Sequence, residues 1–153
     1  MSGDSPGVVA PPPLIYIAGL ALGFVLDAVL PSASVPDWLA WPLGGLLILA
    51  GGFLAASFVG AFRRAGTAVN PAQPSTALVT SGPYRLSRNP GYLGMALVCA
   101  GIAILSGALW ILATLVPTVI VIDRGVIRRE ERYLSGKFGD EYLRYVSRTR
   151  RWV

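Results

Sequence analysis

The sequence predicts an all-α polytopic membrane protein with about four transmembrane helices, a helical hairpin in the C-terminal half and a cytoplasmic amphipathic helical tail. Three observations lead there. Of the 153 residues, 54% are apolar and only 14% are charged, too little charge for a soluble surface or a disordered chain. The apolar residues gather in stretches long enough to cross a bilayer. All thirteen Lys and Arg residues lie after residue 62, flanking those stretches. That placement is the mark of positive-inside topology and attraction to anionic membrane lipids, not of a nucleic-acid groove, so no nucleic-acid partner is expected.

Residues 1–13, with Gly, Ser and the run Pro11-Pro12-Pro13, are expected to form a disordered or polyproline lead-in. No Lys or Arg precedes the first apolar run, which argues against a secretory signal peptide. From Leu14 to Leu30 only Asp27 interrupts an apolar span of about 17 residues. Asp27 sits near the far end, where it stays hydrated. The segment from Pro31 to Asp37 breaks this helix, and Trp38 and Trp41 stand where interfacial aromatics belong. A second span runs from about Leu39 to Phe62 and stops at Arg63-Arg64, so residues 14–62 hold two N-terminal spans.

Residues 65–90, rich in Gly, Pro, Ser and Thr, form the one long loop, and loops of this length are functional or disordered. The run from Tyr92 to Ile122 measures roughly 46 Å as a single helix, overshooting a hydrocarbon core of ~30 Å. Ser106-Gly107 is the natural turn, folding the run into helices at about 91–105 and 108–128, with Pro117 as the place for a kink. Gly91, Gly94, Ala96, Ala100, Gly101 and Ala103 offer a small face for close packing, and Cys99 reads as a packing residue. Beyond Arg128-Arg129, residues Leu134, Phe138, Tyr142 and Tyr145 fall at helical spacing, interrupted at Gly139 and restarted by Asp140 as N-cap. Two short interfacial helices follow, which lie on headgroups through Arg144, Arg148, Arg150 and Arg151 or close over something bound at the mouth of the bundle. The outer loops hold no Lys or Arg, so both termini are expected in the cytoplasm.

The chemistry is narrowed by absence. With no histidine and only Cys99, the chain excludes an intrachain disulfide, a His-ligated haem, a His-based zinc site, a Ser-His-Asp triad and a histidine base. No metal site is expected. Polar groups concentrate at one membrane face in two places, the loop end around Tyr84 to Tyr92 and the helix exit Arg128-Arg129-Glu130-Glu131. Asn89-Pro90 opens a helix whose positive end suits a carboxylate or phosphate, with Arg88 as a bidentate partner. Glu130 is placed to hold an ammonium or sulfonium group. Together they make a site for a zwitterion.

The string LVTSGPYRLSRNPGYLG, then a hairpin, then REERYLSGKFGDEYLRY, resembles the isoprenylcysteine carboxyl methyltransferase and phospholipid methyltransferase families of integral membrane enzymes. Their hallmark is an Arg-His-Pro-x-Tyr element followed one hairpin later by Glu-Glu. The resemblance covers roughly residues 76–147; residues 1–62 match only as generic spans. It implies one methyltransferase domain over 1–153, with 65–153 as the region that binds S-adenosyl-L-methionine and the acceptor arriving from the bilayer. By the same resemblance, the backbone around Thr76, Ala77, Leu78 and Val79, with Tyr84, lines the cofactor pocket. Asn89, Pro90, Gly91 and Tyr92 continue it, and Glu130 grips the methionine moiety. Arg128 or Arg129 faces the acceptor. Asn89 departs from the family pattern by replacing His: it keeps a donor and an acceptor but cannot titrate.

The implied mechanism is in-line displacement at a sulfonium methyl, in which the protein aligns the groups and excludes water. Without a histidine, the acceptor is expected to arrive already nucleophilic, as a carboxylate or thiolate, or as an amine deprotonated by Glu131. Arg88, Glu131 and Arg128 are therefore the residues expected to act on the reacting groups. Two other readings compete. One is an NADPH-dependent sterol-reductase-like membrane oxidoreductase, against which the loop 65–90 offers few basic residues for a 2′-phosphate. The other is a non-catalytic membrane scaffold.

Overall fold

A computed structural model describes residues 5–70 and 73–153. Their helices are α1 (Pro12–Val29), α2 (Asp37–Ala65), α3 (Pro90–Ser106), α4 (Trp110–Ile122), α5 (Arg128–Phe138) and α6 (Asp140–Val146). A 3-10 turn at Gly82–Arg85 precedes α3, and a π turn at Asp123–Ile127 joins α4 to α5. The fold is all-helical, as the sequence predicts.

Glycine spacing decides which helices meet. Gly44 and Gly51 lie on one face of α2, and Gly94 and Gly101 on one face of α3. A Cβ on Gly51 would sit 2.5 Å from the Gly94 carbonyl oxygen, and one on Gly94 would sit 2.8 Å from that of Gly51. Gly44 and Gly101 repeat the reciprocal contact a little farther along. Only bare backbones pack this closely, so these small residues set the α2–α3 seam. The α1–α4 seam is similar: Thr114 Oγ1 donates to the Gly19 carbonyl at 2.8 Å, and Gly23 lies against Ile111. Outside the seams, Leu46, Leu49 and Phe53 of α2 are 63–74% exposed, an apolar belt suited to lipid and costly in water.

Among the described residues three helical stretches are long and apolar enough to cross a membrane: α1, α2 and the continuous rod Trp110–Phe138. The fourth expected span, α3, is shorter, with 17 residues or about 25 Å. Pro90 fixes its start, and Gly107 in the left-handed region (φ 72°) fixes its end. The expected separation of the last span from the polar tail does not hold. Arg128 donates its N–H to the Asp123 carbonyl across the wide π turn, and the chain continues into α5 without a break. Nor does Asp140 cap α6. Gly139, at φ 50° and ψ −126°, holds that position because a side chain there would be strained, and Asp140 lies in the first turn.

Two further boundaries shift. Arg63 and Arg64 belong to the last turn of α2, where cations suit the negative helix end, and Gly66 (φ 64°) terminates it. Residues 1–4 of the expected disordered lead-in lie outside the described residues, as do 71 and 72 of the long loop. Residues 7–9 of that lead-in are docked. Val9 N–H donates to the Gly125 carbonyl at 3.3 Å, its side chain covers the space left at Gly125, and the Gly7 carbonyl accepts from Arg129 at 2.7 Å. Beneath this contact lies the main core: Tyr16, Cys99, Ile122, Val126 and Ile127, with Tyr92 and Trp152 packed around it.

Candidate functional site

The loop end, the start of α3 and the charged helix α5 meet at one end of the bundle, just past the last apolar residues of α4. Between them lies a cavity. Its apolar side is built from α2 and the 3-10 turn: the Phe58 and Phe62 rings are 5.0 Å apart, and Tyr84 lies 5.9 Å from Phe62 and 6.3 Å from Phe58. Gly91 makes this packing possible, since a Cβ there would press on the Phe58 ring at 3.2 Å. Ala77, Leu78 and Val79 supply the loop wall. That loop is folded onto itself by Thr76, whose N–H donates to Thr67 Oγ1 at 2.9 Å and whose hydroxyl donates to the Gly66 carbonyl. Ser75 N–H reaches Tyr133 of α5 at 3.1 Å.

The polar side is built from α3 and α5. Tyr92 Oη donates to Glu130 Oε1 at 2.6 Å, a short bond that fixes one carboxyl oxygen. Tyr92 is itself steadied from α1, because Tyr16 Oη donates to its carbonyl at 2.9 Å. Arg88 extends beside Glu131, with Nη1 3.3 Å from Oε1. Its Nε is buried and has no hydrogen-bond partner. A buried, unpaired guanidinium donor costs free energy, and a ligand carboxylate would satisfy it.

Over the cavity lie Tyr142 and Tyr145 of α6, rings 6.2 Å apart. Tyr145 Oη donates to the Tyr84 carbonyl at 2.8 Å, tying α6 to the 3-10 turn. Burial pushes the Tyr142 phenol up to about 12, with the Glu131 carboxylate adding to the shift and Arg88 opposing it. Burial also raises Tyr84 well above its ordinary value, helped by Glu130 and then Tyr145, and it raises Tyr145 itself. These phenols therefore stay neutral near pH 7 and serve as hydrogen-bond donors, not as bases.

Residues 150–152 strap this end of the molecule. Arg88 N–H donates to the Arg150 carbonyl at 3.0 Å, and Asn89 Nδ2 donates to the Arg151 carbonyl at 2.9 Å. The Arg151 guanidinium grips Glu131 through Nε at 3.1 Å and Nη2 at 2.6 Å and reaches Asp123 at 3.5 Å. That hydrogen bonding, foremost to Glu131, raises the Arg151 pKa. Both Glu131 oxygens are thus engaged by guanidinium groups.

Ten of the expected site residues line this one cavity: Arg88 and Glu131 with Ala77, Leu78, Val79, Tyr84, Asn89, Gly91, Tyr92 and Glu130. Three do not. Thr76 braces the loop behind it, and Pro90 is fully buried in the first turn of α3. Arg128 pairs with Asp123 at 3.0 Å, its side chain 53% exposed. It lines a neighbouring groove with Arg132, Ser135 and Arg151, and that groove shares Arg88, Glu131 and Tyr142 with the cavity. Phe58, Phe62, Tyr133 and Tyr145 are lining residues that sequence reasoning did not assign to the pocket. The spacing of Phe58 and Phe62, one helical turn apart at the end of α2, was the signal for the first pair. Among the described residues no three His, Cys, Asp or Glu side chains gather to hold a metal ion.

A family model described as phospholipid methyltransferase matches residues 39–141, more than half of the chain. A stretch of 35 residues is 54% identical to a protein of Haemophilus influenzae described as uncharacterized, covering 23% of this chain and 56% of that protein. A stretch of 75 residues is 36% identical to the cobalt-zinc-cadmium resistance protein CzcN of Cupriavidus metallidurans, covering 49% of this chain and 34% of CzcN. In both cases the match spans less than two thirds of the relative's length. No solved structure matches the chain.

Proposed function

The chain belongs to the phospholipid methyltransferase family of integral membrane methyltransferases, and on that footing we propose that it uses S-adenosyl-L-methionine to methylate a lipophilic acceptor entering from the bilayer. When bound, S-adenosylmethionine supplies an electrophilic methyl group on a sulfonium sulfur. The observation that carries this reading is a pair of complementary groups in one cavity, the unpartnered Nε donor of Arg88 and the carboxyl group of Glu130. Arg88 is suited to an amino-acid carboxylate. Glu130, oriented by Tyr92, is suited to an ammonium or sulfonium centre. Phe58, Phe62 and Tyr84 give ring surface for a flat base, and the backbone of Ala77 to Val79 offers groups for its edge. Tyr142 and Tyr145 exclude water from above.

The groove at Arg128 and Arg132 is the acceptor's side of the wall, where guanidinium groups would meet a phosphate or carboxylate of the lipid headgroup. Because Arg88 and Arg151 hold Glu131, its role in this geometry is to position Arg88 rather than to take a proton. An acceptor that arrives already nucleophilic therefore fits best, whether a thiolate or a carboxylate such as that of an isoprenylcysteine, with an amine as the further class. Both termini belong in the cytoplasm, on the side of the Lys and Arg residues.

Calorimetric titration of the detergent-purified protein with S-adenosylhomocysteine, beside NADPH, tests this. Saturable binding is expected. It should be lost in R88A/E130A and weakened roughly five-fold in Y92F, which removes one hydrogen bond of about 1 kcal/mol. Folded wild-type protein that does not bind the homocysteine compound would overturn the proposal, and NADPH binding in its place would favour the reductase.

A further inference from the structure

Across Tyr145 from the cofactor cavity lies a second, more open cavity. Three arginines line it from two separate elements: Arg85 ends the 3-10 turn, and Arg144 and Arg148 stand on and just after α6. Glu141 is the one carboxylate in its wall. Among the described residues none of the three arginines forms an ion pair; Arg144 Nε is spent on the Asp140 carbonyl one turn back, at 3.2 Å. Guanidinium groups that line one cavity repel one another unless an anion lies between them, and their planar forks match the oxygens of a phosphate. The cavity also sits at the end of the bundle where the apolar helices stop, within reach of a headgroup layer.

We propose that Arg85, Arg144 and Arg148 bind the phosphate group of an acidic phospholipid, and that filling this site clamps α6 over the cofactor cavity. The coupling follows from the shared wall. Tyr145 lines both cavities and donates to the carbonyl of Tyr84 at 2.8 Å. Tyr84 is the neighbour of Arg85 and packs on Phe62 inside the first cavity. An anion bridging Arg85 to Arg144 and Arg148 thus pulls the 3-10 turn and α6 together in the same sense as the Tyr145–Tyr84 bond, holding Tyr142 and Tyr145 in place over the first cavity. The membrane's own surface charge would then set how tightly the cofactor is held. The clamp rests on the cofactor reading above; the anion site itself does not.

The test is hydrogen exchange over residues 139–148 of the full chain in nanodiscs of phosphatidylcholine, with and without phosphatidylglycerol, and in phosphatidylcholine with added inorganic phosphate. Phosphatidylglycerol is expected to slow exchange in α6, and E141Q to strengthen the effect by removing the opposing charge. R85Q/R148Q, which alters two exposed side chains, should abolish it, each lost arginine weakening lipid binding roughly five-fold. If inorganic phosphate alone slows exchange equally, the phosphate site is supported and its ligand is the free anion. Equal exchange in every lipid, or slowing that survives in R85Q/R148Q, overturns the site. S-adenosylhomocysteine affinity, measured in the same discs, is expected to rise with phosphatidylglycerol in the wild type only. An unchanged affinity overturns the clamp. Absence of homocysteine-compound binding in all discs, beside an arginine-dependent lipid effect, leaves the anion site standing and removes the methyltransferase reading.

Discussion

Arg151 and Glu131 form a two-point ion pair, and a double-mutant cycle on them measures the coupling between the strap's side chain and α5. The contacts are 3.1 and 2.6 Å, a two-point grip whose geometry favours the stronger end of charge-assisted bonds. The Arg151 side chain is 34% exposed and that of Glu131 17%, so solvent screening removes part of the gain. A fully buried pair broken on one side costs about 3–5 kcal/mol and a surface pair at most about 1 kcal/mol; partial burial places the coupling here at about 1.5 kcal/mol. R151Q also forfeits the 3.5 Å contact to Asp123, and E131Q also loosens Arg88, so each single change is expected to cost about 2 kcal/mol. The double variant should cost clearly less than the two together. The carbonyl groups of Arg150 and Arg151 that receive Arg88 N–H and Asn89 Nδ2 are backbone and survive the substitution, so the strap itself stays docked. Reversible unfolding in mixed micelles, followed by tryptophan fluorescence, reads the cycle; Trp152 packs on the core beside the pair. Single costs that add to the double within about 0.3–0.5 kcal/mol would refute the coupling.

Two further outcomes follow from the packing and the phenols. G51A places a Cβ 2.5 Å from the Gly94 carbonyl oxygen, whereas G45A meets nothing within 4 Å. The first should lower stability by about 1–3 kcal/mol as the α2–α3 seam is forced open, and the second should be neutral; equal effects in the same unfolding assay would remove the seam from the fold's explanation. The Tyr142 phenol, raised to about 12 from an ordinary 10.0, holds its proton more tightly folded than unfolded. Its contribution is therefore intact below about pH 10 and lost as pH climbs toward 12, so the unfolding midpoint should fall over that window less steeply in Y142F. Parallel curves for the two proteins would contradict the assignment.

Much of the bundle was legible in the sequence because its causes are local. Runs of apolar residues, the proline at the start of α3 and the glycine after it act through backbone geometry and hydration within a few residues, so helix positions follow directly. The two motif halves around Arg88 and Glu130 were likewise visible as polar strings beside apolar ones. The long-range partners were not. Tyr145 and Phe62 read as one amphipathic face and one span end, and nothing in their own neighbourhoods says that both border the same cavity. The π turn at Asp123–Ile127 has no compositional signature, since one wider hydrogen-bond step demands no particular residue type, yet it carries the rod on into α5 and its two glutamates.

The same division holds for Asn89 and Arg151. The sequence by itself determined a charge-poor membrane protein without histidine, with every Lys and Arg after residue 62 and polar strings at the end of the long loop and in the charged helix that follows the last apolar run, because composition and hydropathy act through solvent alone. Only the tertiary structure decided that the Asn89 side chain donates to the Arg151 carbonyl, that Glu131 is gripped from both sides while Glu130 meets Tyr92, and that Arg88 keeps one buried donor open. Those pairings join residues 20 to 62 positions apart. Which charge meets which is settled by the packing of the glycine-lined helices, which brings far-separated elements to the few ångströms at which hydrogen bonds discriminate.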